Sequence, residues 1–121
     1  MADEFKLRLS YLVENGFFRE SFQGGQINID QANPGRGGYV QTIGTSEETV
    51  DFGDVTTEGL LFMRNLDANN FITFGPDSTG MKVVGKLKPG EVAFFRVDPA
   101  VVLKAKADTA SCKLDVRLYE D

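Results

Sequence analysis

The chain has no histidine, no tryptophan and a single cysteine, Cys112, among its 121 residues. Each gap closes a class of function. Without histidine there is no Ser-His-Asp or Cys-His nucleophile pair, and the commonest general base at neutral pH is missing. One cysteine and no histidine do not make a zinc or iron site. A lone cysteine also rules out a framework of internal disulfides, a count compatible with folding in a reducing cytosol. With no tryptophan and three tyrosines, Tyr11, Tyr39 and Tyr119, aromatic platforms for sugar rings are scarce. No apolar run approaches a membrane span. Met1-Ala2-Asp3-Glu4 lacks the basic and then apolar stretch of a signal peptide. A soluble protein with no membrane partner is expected.

Basic charge is also in short supply. Thirteen Lys and Arg face eighteen Asp and Glu, a net charge of −5. Lys86 with Lys88 and Lys104 with Lys106 are the nearest approaches to a basic cluster, and neither is interleaved with aromatics. They read as solvated strand faces, so no nucleic-acid partner is expected.

What the chain does have is period-two patterning and turn residues. Apolar residues make up 41% and glycine occurs thirteen times, enough for one core without metal or disulfides. Phe5, Leu7, Leu9 and Tyr11 alternate with Lys6, Arg8 and Ser10, which predicts a strand with one buried and one wet face. Glu14-Asn15-Gly16 supplies a turn. A second strand runs from Phe17 to Phe22, Gly24-Gly25 turns the chain, and Ile27 and Ile29 alternate beyond it. Gln31 to Gly38 reads as a flexible loop. Further strands are expected at 39–43, 49–52, 59–64, 71–74, 81–84, 92–97 and 101–106, the last with room for a helical turn. Lys88-Pro89-Gly90-Glu91 suits a type II turn. The final strand mirrors the first: Cys112, Leu114, Val116 and Leu118 alternate with Lys113, Asp115 and Arg117. Nine or ten short strands without a long helix imply an all-β fold in one domain, 1–121. A two-sheet antiparallel β-sandwich, jelly-roll or Ig-like, is the expected architecture, with a small closed β-barrel as the alternative.

The doublets Phe17-Phe18 and Phe94-Phe95 break the alternation. Neighbours on a strand face opposite sides, so one phenylalanine of each pair is expected in the core. The other lies under local cover or at an interface, where a buried aromatic dominates binding. Arg36, in the glycine loop, is the natural anchor for a partner, and Tyr39 beside it is the best candidate for a sugar platform. These six residues are the expected partner contacts. Deleting 33–38 is expected to weaken attachment and leave the fold intact.

Signals for chemistry are weak. Asp51, Asp54, Glu47 and Glu48 are neighbours of the kind any acidic β protein contains. Asp67, Asn69 and Asn70 offer oxygens for calcium but read better as backbone-capping turn residues. Asn33 to Gly38 lacks the ending and the helix of a phosphate loop. Cys112 reads as a small buried thiol. Neither enzymatic activity, nor a cofactor, nor a metal is expected.

From Tyr39 onward the chain resembles small proteins encoded among the virion genes of tailed bacteriophages. The residues that carry this are Thr42-Ile43-Gly44-Thr45-Ser46-Glu47-Glu48, Gly53-Asp54-Val55, Phe62-Met63-Arg64-Asn65-Leu66-Asp67, Leu87-Lys88-Pro89-Gly90-Glu91, and the ending from Lys113-Leu114-Asp115 to Tyr119-Glu120-Asp121. They span about two thirds of the chain and form a pattern of strands and turns, not a catalytic signature. The resemblance implies a β-sandwich, synthesised in the bacterial host cytoplasm, that joins the virion. Its partner would be the major capsid protein or another virion protein, and it would often be a homo-oligomer, with a trimer favoured. Capsid decoration (cement) is the first function implied and a minor tail or fibre-associated part the second. A small carbohydrate-binding module is the alternative of another class.

Overall fold

The computed structural model describes residues 3–121, which form eleven strands and no helix. The fold is all-β and built from antiparallel sheets. Two compact units divide the chain between Asn33 and Pro34, where the sequence reading takes 1–121 as one domain.

The first unit is a long hairpin. β1 (Phe5–Asn15) pairs antiparallel with β2 (Phe18–Ile29), from Phe5 opposite Ile29 to Asn15 opposite Phe18. A two-residue loop, Gly16-Phe17, joins them. Gly16 has φ of +60°, as the first central residue of a II′-type hairpin turn demands. The turn therefore lies one residue later than the expected Glu14-Asn15-Gly16. Gly24-Gly25 is not a turn either. Both residues stand opposite Leu9 as a β-bulge, and β2 continues pairing to its end. At the open end, Asp3 N–H donates to Asp30 Oδ1 at 2.9 Å and Gln31 N–H to Glu4 Oε1 at 3.1 Å.

The second unit holds two sheets. One has the order β5 (Glu48–Thr49), β10 (Leu103–Ala107), β7 (Ile72–Pro76), β8 (Gly85–Leu87). The other runs β3 (Arg36–Gly37), β11 (Cys112–Glu120), β6 (Glu58–Asn65), β9 (Val92–Arg96), and β4 (Val40–Ile43) also pairs with β11. Both orders are open paths with free edges. The closed-barrel alternative is therefore ruled out.

β11 organises this unit. On one side it pairs with β6, and on the other with β4 over Cys112–Asp115 and β3 over Leu118–Tyr119. Its alternation works as expected: Leu114, Val116 and Leu118 are all 0% exposed. They join Leu61 and Met63 of β6, Ile72 and Phe74 of β7, and Leu103, Ala105 and Ala107 of β10 in one apolar cluster. Asn65, fully buried, ties the ends together. Its Nδ2 donates to Asn70 O and Leu87 O, both at 2.9 Å, and its Oδ1 accepts from Asp67 N–H at 2.9 Å. The 88–91 turn forms as read: Glu91 N–H donates to Lys88 O at 3.0 Å and Gly90 has φ of +82°. The expected strand at 81–84 shrinks to a single bridge between Met81 and Asp77, and the strand falls at Gly85–Leu87 instead.

The glycine segment is packed, contrary to the flexible loop expected. β3 pairs with β11, and Glu120 N–H donates to Gly35 O at 2.9 Å. A Cβ at Gly37 would overlap the carbonyl oxygen of Phe52. Glycine is there because backbone meets backbone, not because nothing packs. Deleting 33–38 would strip β3 from the edge of β11, so the deletion is expected to cost fold stability as well. Gly37→Ala is expected to cost about 2–3 kcal/mol through overpacking and to lower Tm by roughly 10 °C. An unchanged thermal melt contradicts this packing.

Candidate assembly interface

The pairing register of the hairpin sorts its side chains cleanly. Phe5 lies opposite Ile29, Leu7 opposite Ile27 and Tyr11 opposite Phe22, and Leu9, Val13 and Phe18 lie on the same face by alternation. Tyr11 and Phe22 stack across the strands with centroids 5.5 Å apart and planes 21° apart, a cross-strand pair of the stabilising kind. The opposite face is polar apart from Leu12, which lies opposite Ser21 and is 60% exposed. Arg8 donates to Gln26 Oε1 at 3.1 Å, Gln26 donates to Asn28 Oδ1 at 2.8 Å, and Arg19 pairs with Glu14 at 3.2 Å.

The 3–33 unit supplies no second layer for its apolar face. β1 and β2 pair only with each other. Leu9, Tyr11, Val13, Phe18, Phe22 and Ile27 are 39–60% exposed. The face expected to be buried in the first strand thus has no second layer within its own unit. Scattered surface apolar residues are ordinary, but a contiguous apolar face marks an interaction site. At the bulge, a depression of about 180 Å³ is lined by Arg8, Leu9, Ser10, Gln23, Gly24 and Gly25. That is smaller than a small-molecule site of roughly 300–1,000 Å³.

The six expected contact residues are divided between the two units, Phe17 and Phe18 in the first and Arg36, Tyr39, Phe94 and Phe95 in the second. Phe17 occupies the hairpin turn and is fully exposed, and Phe18 opens β2 on the apolar face. Neither reaches a core, because a two-stranded sheet has none. Phe94 and Phe95 behave as expected of a doublet. Phe95 packs against the core and stacks on Phe74 at 6.2 Å, while the half-buried Phe94 pairs with Phe62 on the other face of the sheet. Arg36 and Tyr39 are exposed on the segment that edges β11. Leu9, Tyr11, Phe22 and Ile27, exposed on this apolar face, are not among the six residues expected from the sequence. The signal was present, since folding the chain at Gly16 puts both apolar sets on one face. What the pattern did not show was the lack of a third strand or a second layer.

Of the carboxylates weighed for chemistry, Glu47, Glu48, Asp51 and Asp67 bond backbone amides, and Asp54 is exposed. Glu48 Oε2 accepts from Gly44 N–H at 2.7 Å, Glu47 Oε1 from Met81 N–H at 3.0 Å and Asp51 Oδ1 from Gly53 N–H at 2.8 Å. Asp67 Oδ2 accepts from Asn70 N–H at 2.6 Å and Asn69 N–H at 2.9 Å, a turn cap. No cluster of three or more potential Cys, Asp or Glu metal ligands occurs among the described residues. Cys112 is buried, and burial, then the nearby charges of Asp67 and Asp108, push its thiol pKa up, which disfavours the nucleophilic thiolate. Of the basic pairs, Lys104 meets Asp77 at 3.6 Å and Lys86 lies 4.3 Å from the centre of the Phe71 ring.

No protein-family model matches the chain, and neither a curated protein nor a solved structure is significantly similar to it.

The amides of Asn70 and then Asn69 hold the Asp67 carboxyl below its ordinary value of 3.8. A carboxylate lowered in the folded state stabilises the fold above its unfolded value, and this contribution is lost as pH falls through the folded value. Asp67→Ala is therefore expected to lower Tm at neutral pH and to flatten the decline of Tm below about pH 4. A neutral Tm and an acid decline both equal to the wild type contradict the cap.

Proposed function

We propose that the chain is a non-enzymatic structural protein that works by assembly, and specifically a virion component of a tailed bacteriophage. The apolar face of the hairpin, which has no second layer within its own unit, carries the assembly reading. A 25-residue two-stranded element is marginal alone in water, and a face of large apolar side chains is a docking surface, not a solvated one. The virion setting rests on the resemblance that begins at Tyr39. Within it, capsid decoration is the favoured role: a small β domain seated on the shell by contacts to the major capsid protein and to its own copies, as a trimer. The 34–121 unit is read as a β-sandwich, its two sheets contributing to one apolar cluster. Carboxylates committed to backbone amides, a buried thiol and the lack of histidine all support a chain without catalysis.

Particles banded in a density gradient, from a lysed culture carrying the gene, test this by quantitative mass spectrometry. Hundreds of copies per DNA-filled particle are expected for a decoration protein, and a handful would move it to the tail. A chain that stays in the soluble fraction, absent from particles, overturns the virion reading.

A further inference from the structure

We propose that the apolar face of the β1–β2 hairpin is covered by the same face of a second copy of this chain, making the hairpin the homo-oligomerisation element. This deepens the assembly reading by naming the occupant of its surface.

Three observations favour a copy of the chain over a different protein. The first is charge. Glu20, opposite Val13, is the one ionisable acid or base that the register places on the apolar face, while Lys6, Arg8, Glu14 and Arg19 lie on the other. Two such faces meet with a single carboxylate on each, against four charged side chains on each opposite face. Charge-depleted, strongly apolar patches are typical of permanent homomeric interfaces, whereas interfaces formed transiently are as polar as the rest of the surface. A patch that meets its own copy closes under two-fold symmetry, so the trimer proposed above needs further contacts.

The second is area. Leu9, Tyr11, Val13, Phe18, Phe22 and Ile27 are about half exposed. With fully buried aromatics covering 150–250 Å² each, these six offer on the order of 500–600 Å² per copy. A facing pair then buries roughly 1,200 Å², and the half-buried Phe5, Leu7 and Ile29 add to it. This reaches the size of stable, specific interfaces.

The third is timing. A hairpin with no second layer needs its cover as soon as the chain folds, since exposed apolar strands are aggregation-prone. A second copy is made at the same place, in equal number. A capsid partner, met only at assembly, would leave the face bare until then.

Light scattering on the purified full chain, over a wide concentration range and at low and high salt, tests this. The expected result is a whole multiple, two or more, of the 13.3 kDa chain mass. It should survive dilution and resist salt, because apolar contacts are not screened. Phe22→Glu and, separately, Leu9→Glu should each shift the chain to the single-chain mass. The thermal melt of the 34–121 unit should persist. Gln26→Glu, on the polar face, should leave the mass unchanged. A wild-type chain that stays at 13.3 kDa throughout, or an oligomer that keeps its mass in both apolar-face variants or dissociates in salt, overturns the proposal. A monomer that still bands with particles spares the virion reading and sinks only this inference. An oligomer absent from particles does the reverse.

Discussion

Period-two spacing buries one face of a strand only where a second layer lies against it, and this requirement governs both units of the molecule. The first and last strands carry the same alternation with opposite outcomes. In β11, Leu114, Val116 and Leu118 are completely buried because β7 and β10 of the other sheet bring Ile72, Phe74, Leu103 and Ala105 to the same cluster. In β1, Leu9 and Tyr11 have the same spacing and remain about half exposed, because their two-stranded sheet has no second layer within its own unit. Sequence pattern decides which face is apolar, and topology decides whether it is covered.

Within residues 34–121, the irregular segments are fixed by backbone contact and amide capping. β11 takes β3 and β4 in succession along one edge, which brings the glycine segment so close to Phe52 that a side chain at Gly37 has no room. Asn65 closes the far end by joining the 65–70 turn to the end of β8 through a single buried carboxamide. A buried amide that satisfies three partners is costly to remove, because each partner left behind is an unsatisfied polar group. Acidic side chains are spent in the same way, accepting hydrogen bonds from turn amides.

Much of this was legible in the sequence, and the misreadings share a cause. The class, the last strand, the Pro89-Gly90 turn and the inward Phe95 followed from local rules: alternation, turn chemistry and neighbours on opposite faces. The failures depended on partners distant in sequence. Gly24-Gly25 looks like a turn until β2 is seen pairing with β1 on both sides of it, which makes it a bulge. Residues 35–38 look mobile until β11 and Phe52 are set against them. The candidate interface was half visible. Phe18 was singled out for its doublet, whereas Leu9 and Tyr11 were assigned to a core that the hairpin does not possess, and Phe22 and Ile27 were split between two strands that are one.

Direct contact between copies is the sharpest observation of what covers the hairpin. Isotope-filtered NMR on an oligomer mixed from labelled and unlabelled chains separates contacts between copies from contacts within one. Contacts from the Tyr11 and Phe22 rings to the Leu9, Val13 or Ile27 methyl groups of another copy are the predicted result. Ring contacts confined to the same chain, with the hairpin methyls silent between copies, would contradict the account.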